Sequence, residues 1–165
     1  MGTLAALAKT SPVSAEAAIN RAAPGAVTQG HSPDFRNTAE GKLKVVVIAG
    51  KGRGVVAGRD LGAGELIEIA PVIVVTAAGK EILAATVIDQ YGYDWFSDGT
   101  GLAIALGYGS LYNHSFAPNA VYKKDFDGSN LEYTALIDIK AGTEILVNYN
   151  GDPADQTPLW FDVVF

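Results

Sequence analysis

The densest run of chemistry-bearing residues is Asn113-His114-Ser115-Phe116-Ala117-Pro118-Asn119, directly after Leu111 and Tyr112. Asn113-His114-Ser115 matches an N-glycosylation acceptor, yet nothing else in the chain points to secretion. His114 and Ser115 could suggest a hydrolytic triad. No Gly-x-Ser-x-Gly elbow accompanies them, and neighbours in sequence make a poor triad. A lone histidine in an apolar neighbourhood is commonly a hydrogen-bonded core residue. The density of Asn, His, Ser, Pro and Asn within seven positions argues against so plain a role.

A second candidate is the glycine cluster Gly50-Lys51-Gly52-Arg53-Gly54, which follows the β-branched run Val45-Val46-Val47-Ile48. A strand followed by Gly52-x-Gly54-x-x-Ala57 could open a dinucleotide-binding unit. That unit needs a helix directly after the glycines, whose N-terminus holds the pyrophosphate. Here Gly58, Gly62 and Gly64 follow at once and Val55-Val56 favours strand. Two readings remain: a glycine bend between strands, or a loop whose bare backbone approaches a cofactor. The third candidate runs from Ile139 through Lys140-Ala141-Gly142-Thr143 to Glu144 and Tyr149. Alternation sets Tyr149 on the face of Ile145 and Val147. Its ring would be buried and its hydroxyl would need a partner.

The elements that must position these residues are mostly strands. Val45–Ile48, Val55–Ala57, Leu66–Ile69, Val72–Val75 and Leu102–Leu106 read as short strands, with Ala70-Pro71 interrupting the middle pair. Leu131–Ile137 and Glu144–Tyr149 read as two strands joined across Lys140–Thr143. Residues Lys80–Gln90 read as a helix, with Ile82, Leu83, Val87 and Ile88 on one face. Many short strands, frequent glycine and one convincing helix predict a mainly β fold.

Composition narrows the chemistry. The chain has 165 residues and a mass of 17.2 kDa, enough for one domain with a real core. It has no cysteine and only two histidines, His31 and His114. Disulfides, thiol catalysis, cysteine-based zinc and multi-histidine metal centres are thereby excluded. Twelve Lys and Arg against eighteen Asp and Glu give a net charge of -6. This speaks against direct nucleic-acid binding and suits a basic protein partner. No apolar run approaches a membrane span. Residues 1–43 are rich in Ala, Ser, Thr and Pro. They read as a mobile tail with room for one short helix capped by Ser14. They lack the basic start and long apolar stretch of a secretory signal. Met1-Gly2 lacks the Ser or Thr at position 6 that myristoylation wants. A cytoplasmic location is expected.

In this order and spacing, the pieces resemble the SET-domain family of S-adenosylmethionine-dependent protein lysine methyltransferases. The resemblance rests on Gly52-Arg53-Gly54, Gly64-Glu65, the whole Asn113–Asn119 motif, Gly142-Thr143-Glu144 and Tyr149. It covers residues 44–165. The Ala105–Gly109 approach and the compact size look most like minimal stand-alone viral and bacterial members.

The resemblance implies a β-clip of small curled sheets, with one or two short helices and a C-terminal pseudoknot that brings Asn113-His114 beside Tyr149. It implies S-adenosylmethionine as cofactor, with Gly52, Arg53, Gly54, Asn113 and His114 binding it. A protein or peptide lysine would enter by a separate channel. Tyr149 would be the catalytic residue, orienting the amine and supporting the reacting centre. Tyr108, Tyr112, Trp160 and Phe161 would wall the channel or cofactor pocket. No metal is implied, and a homodimer would fit the minimal members. Phe116 stands where Cys is common, Val56 where many members carry an aromatic, and Ala70-Pro71 where larger members place Tyr and Gly. The competing expectation is a SET-fold module that binds peptide or cofactor without catalysis. The presence of Tyr149 favours the enzyme.

Overall fold

The computed structural model describes residues 41–159 and Phe161. Nearly all of the expected N-terminal tail, including its Ser14-capped helix, lies outside the described residues. So do Trp160 and residues 162–165 of the C-terminal clip.

Strand β1 (Leu43–Ile48) pairs antiparallel with β2 (Gly52–Ala57), in register from Leu43↔Ala57 to Ile48↔Gly52. The bend between them is closed by Lys51 N donating to Ile48 O at 3.1 Å. Gly50 and Gly52 sit there at φ 78° and 81°, values that residues with a Cβ avoid. A strand, a glycine bend and a second strand leave no helix for a pyrophosphate, so the dinucleotide reading falls.

The main sheet has five strands in the order β4-β5-β3-β8-β7, all antiparallel. Its central strand β3 (Leu66–Val75) runs unbroken through Ala70-Pro71, where the sequence suggested an interruption. Residues 66–71 pair with β8 (Asn130–Ala135) and residues 72–75 with β5 (Gly101–Ala105). Pro71 stands where the strand changes partner, a place that tolerates a missing N–H donor. The outer strands β4 (Gly92–Trp95) and β7 (Ala120–Asp125) were not foreseen. Trp95, Tyr112, Tyr133, Ile67 and Leu131 fill the core beneath this sheet.

The expected helix over residues 80–90 is divided in two. Helix α1 covers Ala77–Leu83, and a 3-10 turn covers Val87–Tyr91. Thr76 caps the first and Thr86 the second. Each hydroxyl accepts a backbone N–H, and Thr86 Oγ also donates to Leu83 O at 2.8 Å. A threonine bonded to nearby backbone competes with helix continuation. No residue of either segment is buried, so the apolar stripe does not face a core.

The C-terminal part also differs from a hairpin. After β8 the chain leaves the sheet, because Ile139 pairs through both backbone groups with Leu61. The Gly142 turn then bonds the end of β2. Gly142 N donates to Ala57 O, Ala57 N to Thr143 O and Ile145 N to Val55 O, at 2.7–2.9 Å. Strand β9 (Leu146–Val147) pairs in parallel with β6 (Asn113–His114). Asn119 takes Leu146 N and gives to Glu144 O, both at 2.8 Å, while Gln156 donates to Phe116 O from the other side. The chain from Glu144 to Gln156 thus bonds the 113–119 segment at Asn113, His114, Phe116 and Asn119, which brings Asn113-His114 beside Tyr149 as expected.

Candidate active site

Asn113 is held by its amide nitrogen. Nδ2 donates to Glu144 Oε1 at 2.8 Å and to Arg53 O at 3.2 Å. Both amide hydrogens are therefore used, and the carbonyl Oδ1 is left to accept from something else. Lys51 reaches the other oxygen of Glu144 at 3.3 Å. Gly54 makes this arrangement fit. A Cβ there would lie 2.7 Å from Glu144 Oε1 and 2.8 Å from Asn113 Nδ2. Arg53 sends its guanidinium elsewhere, to the Tyr91 hydroxyl at 3.2 Å and over the Tyr91 ring.

The parallel β6–β9 pairing sets His114 against Tyr149. His114 is buried, and its Nδ1 accepts from Tyr149 N at 3.1 Å. The neutral ring must then carry its proton on Nε2. That Nε2 is the one buried side-chain polar atom without a partner among the described residues. Burial, aided by Lys51, pushes the His114 pKa down, so the ring is neutral at physiological pH.

Tyr149 is fixed at three points. Its N–H goes to His114, its carbonyl accepts from the Tyr122 hydroxyl at 3.3 Å, and its own hydroxyl donates to Tyr112 O at 2.9 Å. The partner its hydroxyl was expected to need is thus a main-chain carbonyl. Burial first, then the Glu144 charge and Tyr91, push its phenol up to about 12. Phe161 meets the ring edge-on at 6.3 Å between centroids.

Two cavities approach Tyr149. One, of about 370 Å³, is lined by Lys51, Gly52, Arg53, Leu111 and Asn113. The other, of about 620 Å³, is lined by Tyr93, Asp94, Tyr122, Lys124 and Asp155. Gln90, Tyr91, Ser110, Tyr112 and Tyr149 line both, so these five form the wall between them. Both volumes lie in the range of small-molecule sites, roughly 300–1,000 Å³.

The SET-domain family model matches residues 52–150, more than half of the chain. The chain belongs to the SET-domain family. A Schizosaccharomyces pombe histone-lysine N-methyltransferase, specific for H3 lysine-37, is 38% identical over 113 residues. Those residues are 68% of this chain and 71% of that protein. A crystal structure of a Plasmodium falciparum protein described as a histone methyltransferase superposes with TM-score 0.53 at 27% identity. The match covers 67% of this chain and 99% of that one. The SET domain is that of an S-adenosylmethionine-dependent protein lysine methyltransferase.

Within this SET domain, Gly52, Arg53 and Asn113 line the smaller cavity, while Gly54 and His114 stand behind it and hold Asn113 and Tyr149. Tyr112 lines both cavities, although its ring is buried against Tyr133. Tyr108 lines neither of the two; it packs on the core. Phe161 lies at Tyr149, and Trp160 is outside the described residues. Sequence reasoning passed over Lys51, Tyr91, Tyr93 and Tyr122. The two-residue spacing of Ala120 and Tyr122, the buried face of β7, was the available signal for the last.

The residues fit S-adenosylmethionine. Among the described residues the Asn113 amide carbonyl has no partner and suits an ammonium, while Lys51 and Arg53, held by Glu144 and Tyr91 at the cavity wall, bring positive charge that suits a carboxylate.

Proposed function

We propose that this SET domain methylates a lysine of a basic, histone-like protein, with the cofactor in the smaller cavity, the lysine in the larger one and Tyr149 between them. The observation that carries this reading is that the two cavities share a wall of which Tyr149 and Tyr112 are part. When bound, S-adenosylmethionine supplies a methyl group on a positively charged sulfur, open to in-line displacement by an amine.

The chain's own residues account for the rest. Gly52, Arg53 and Asn113 would hold the cofactor's polar end. A free lysine has a pKa near 10.4 and must be neutral to attack. Burial pushes the Lys124 pKa down even though Asp94 opposes it, the sense in which a desolvating channel acts on an ammonium. Tyr149, pushed up to about 12, keeps its proton at neutral pH. It therefore works as a fixed dipole that orients the amine, and water carries the departing proton away. Alignment of two reactants by rigid walls supplies much of the acceleration.

The histone-like substrate is supported by the named specificity of the fission yeast relative, by the net charge of -6, and by Asp89, Asp94 and Asp155 along the larger cavity. The compact type of SET domain is supported by the short path from β3 to β5, which holds only α1, a 3-10 turn and β4. A homodimer belongs to the same reading, and light scattering tests it.

The deciding experiment is methyl transfer from labelled S-adenosylmethionine to a panel of basic proteins, comparing the intact chain with Tyr149→Phe. Lysine label that vanishes in the variant supports the proposal. Equal label with both proteins removes Tyr149 from it.

A further inference from the structure

We infer that Glu68 is a positioning residue for methyl transfer: it anchors both ends of the Tyr108–Tyr112 segment and thereby fixes the carbonyl on which the Tyr149 hydroxyl rests. This rests on the catalytic reading of Tyr149 given above.

Glu68 lies on β3 between buried Ile67 and half-buried Ile69, and only 4% of it is exposed. Beside it the strand slips register against β8. No cation pairs with it among the described residues; its acceptors are used by Tyr108 N on Oε1 and the Tyr112 hydroxyl on Oε2, each at 2.9 Å. A buried carboxylate without a counter-ion is a poor device for stabilising a sheet, where an apolar residue of similar size serves better. What Glu68 does provide is geometry. Its two oxygens grip the first and last residues of one short segment.

That segment is built to be gripped. Gly107 precedes it at φ 64°, and a Cβ there would collide with Glu68 Oε1. The Gly109 carbonyl accepts from the Tyr93 hydroxyl at 2.7 Å and from the Tyr133 hydroxyl at 3.1 Å. Ser110 Oγ lies 2.9 Å from Tyr91 O and 3.0 Å from Ala105 O and donates its one proton to either. At its end, Tyr112 uses both of its ends. The side chain holds Glu68 at 2.9 Å, while the main-chain carbonyl accepts from Tyr149 Oη at 2.9 Å. Glu68, Tyr112 and Tyr149 thus form one continuous chain of contacts, although Glu68 lines neither of the cavities described. A misplacement of about 1 Å at a reacting centre can cost on the order of 100-fold in rate.

The test compares Glu68→Met, which removes both acceptors at similar length, with Glu68→Gln. Glutamine can accept from Tyr108 N through its carbonyl and donate to the Tyr112 oxygen through its amide. Rates are normalised to sites counted by S-adenosylmethionine titration, so that a merely lower folded fraction does not register. Glu68→Met is expected to lower kcat per site by about 10-fold or more, with KM for protein substrate and Kd for cofactor within about 3-fold. Glu68→Gln is expected to restore most of the rate. Wild-type kcat per site in Glu68→Met overturns the inference. If Glu68→Met does not fold, Tyr112→Phe decides, since it removes only the hydroxyl end of the chain of contacts. A reduced kcat there, with KM and cofactor Kd within about 3-fold of wild type, supports the inference, and an unchanged kcat overturns it. Tyr149→Phe is run alongside. If it is inert while Glu68→Met turns over normally, the inference alone has failed. If Tyr149→Phe is fully active, the catalytic reading has failed and the inference with it.

Discussion

The two cavities that meet at Tyr149 are built by different means. The smaller is lined on its own side by Gly52 and Arg53 of β2, the Asn113 amide, Lys51 and the apolar Val47 and Leu111, with Gly54 and Glu144 behind them fixing Asn113. The larger is made of phenol rings and charged rims drawn from β4, β7 and the segment after β9. Backbone and a doubly bonded amide are rigid and present fixed dipoles, which suits one invariant small molecule. Exposed rim side chains such as Asp94 can differ without disturbing the fold, which suits a variable protein partner, while Tyr93 and Tyr122 are tied to the core. A substitution in the smaller cavity should change affinity for the cofactor, and one in the larger cavity only the choice or presentation of the lysine.

The sharpest break is at the shared wall. Tyr149→Phe removes the donor to Tyr112 O while keeping the ring that His114 and Phe161 contact. Loss of a preorganised polar group at a reacting centre costs roughly 100- to 1,000-fold in kcat. Single-turnover kinetics should show a loss of that order, with cofactor Kd measured by calorimetry within about 3-fold of wild type. A parallel collapse of cofactor affinity would mean that Tyr149 belongs to the smaller cavity alone.

The next effect is confined to the cofactor side. Asn113→Ala removes an acceptor suited to the cofactor ammonium and releases Glu144. A hydrogen bond to a charged group contributes about 1.5–3 kcal/mol, so cofactor Kd should rise roughly 10- to 100-fold. Unchanged affinity by calorimetry would count against the assignment. On the opposite side, Tyr122→Phe deletes one hydroxyl that reaches Tyr149 O at 3.3 Å, a long bond. A few-fold rise in KM for the protein substrate is expected, with cofactor affinity unmoved. Equal effects on both constants would erase the distinction between the cavities.

The same division explains what could be read from the sequence. The smaller cavity is assembled from contiguous strings, Gly52-Arg53-Gly54 and Asn113-His114, because strand geometry and a tight loop fix spacing locally. The larger cavity was largely illegible. Tyr91 and Tyr93 lie where a single helix was expected to end, and only the two threonine caps betray the division. Tyr122 lies on a strand masked by the charges of Lys123 and Lys124, although Ala120 and Tyr122 are buried in the alternation that β7 requires. The C-terminal turn read as a hairpin because local rules pair nearest neighbours. The parallel β6–β9 pairing and the Leu61–Ile139 bridge are long-range, and no local pattern encodes them. Glu68 was overlooked for a related reason. A glutamate in a strand reads as a solvent-facing position, and its burial follows from the segment that packs over it.

The smallest effect belongs to the seam itself. His114 is neutral in the folded protein, with its pKa below the usual 6.5 because of burial and Lys51. The unfolded chain therefore binds this proton first as pH falls. Stability contributed by the neutral ring is present above 6.5 and is lost as pH drops from there through the folded value. Glu68 acts in the opposite sense, since burial raises its pKa above 4.5: its contribution favours the folded state as pH falls. The net slope of melting temperature below pH 6.5 is thus a difference, and a single substitution separates the parts. His114→Asn places an amide oxygen near the Nδ1 position, so Tyr149 N can keep an acceptor that does not titrate. Thermal melts between pH 8 and pH 5 should show the variant losing less stability than wild type below about pH 6.5. If both lose stability alike, His114 does not supply the slope.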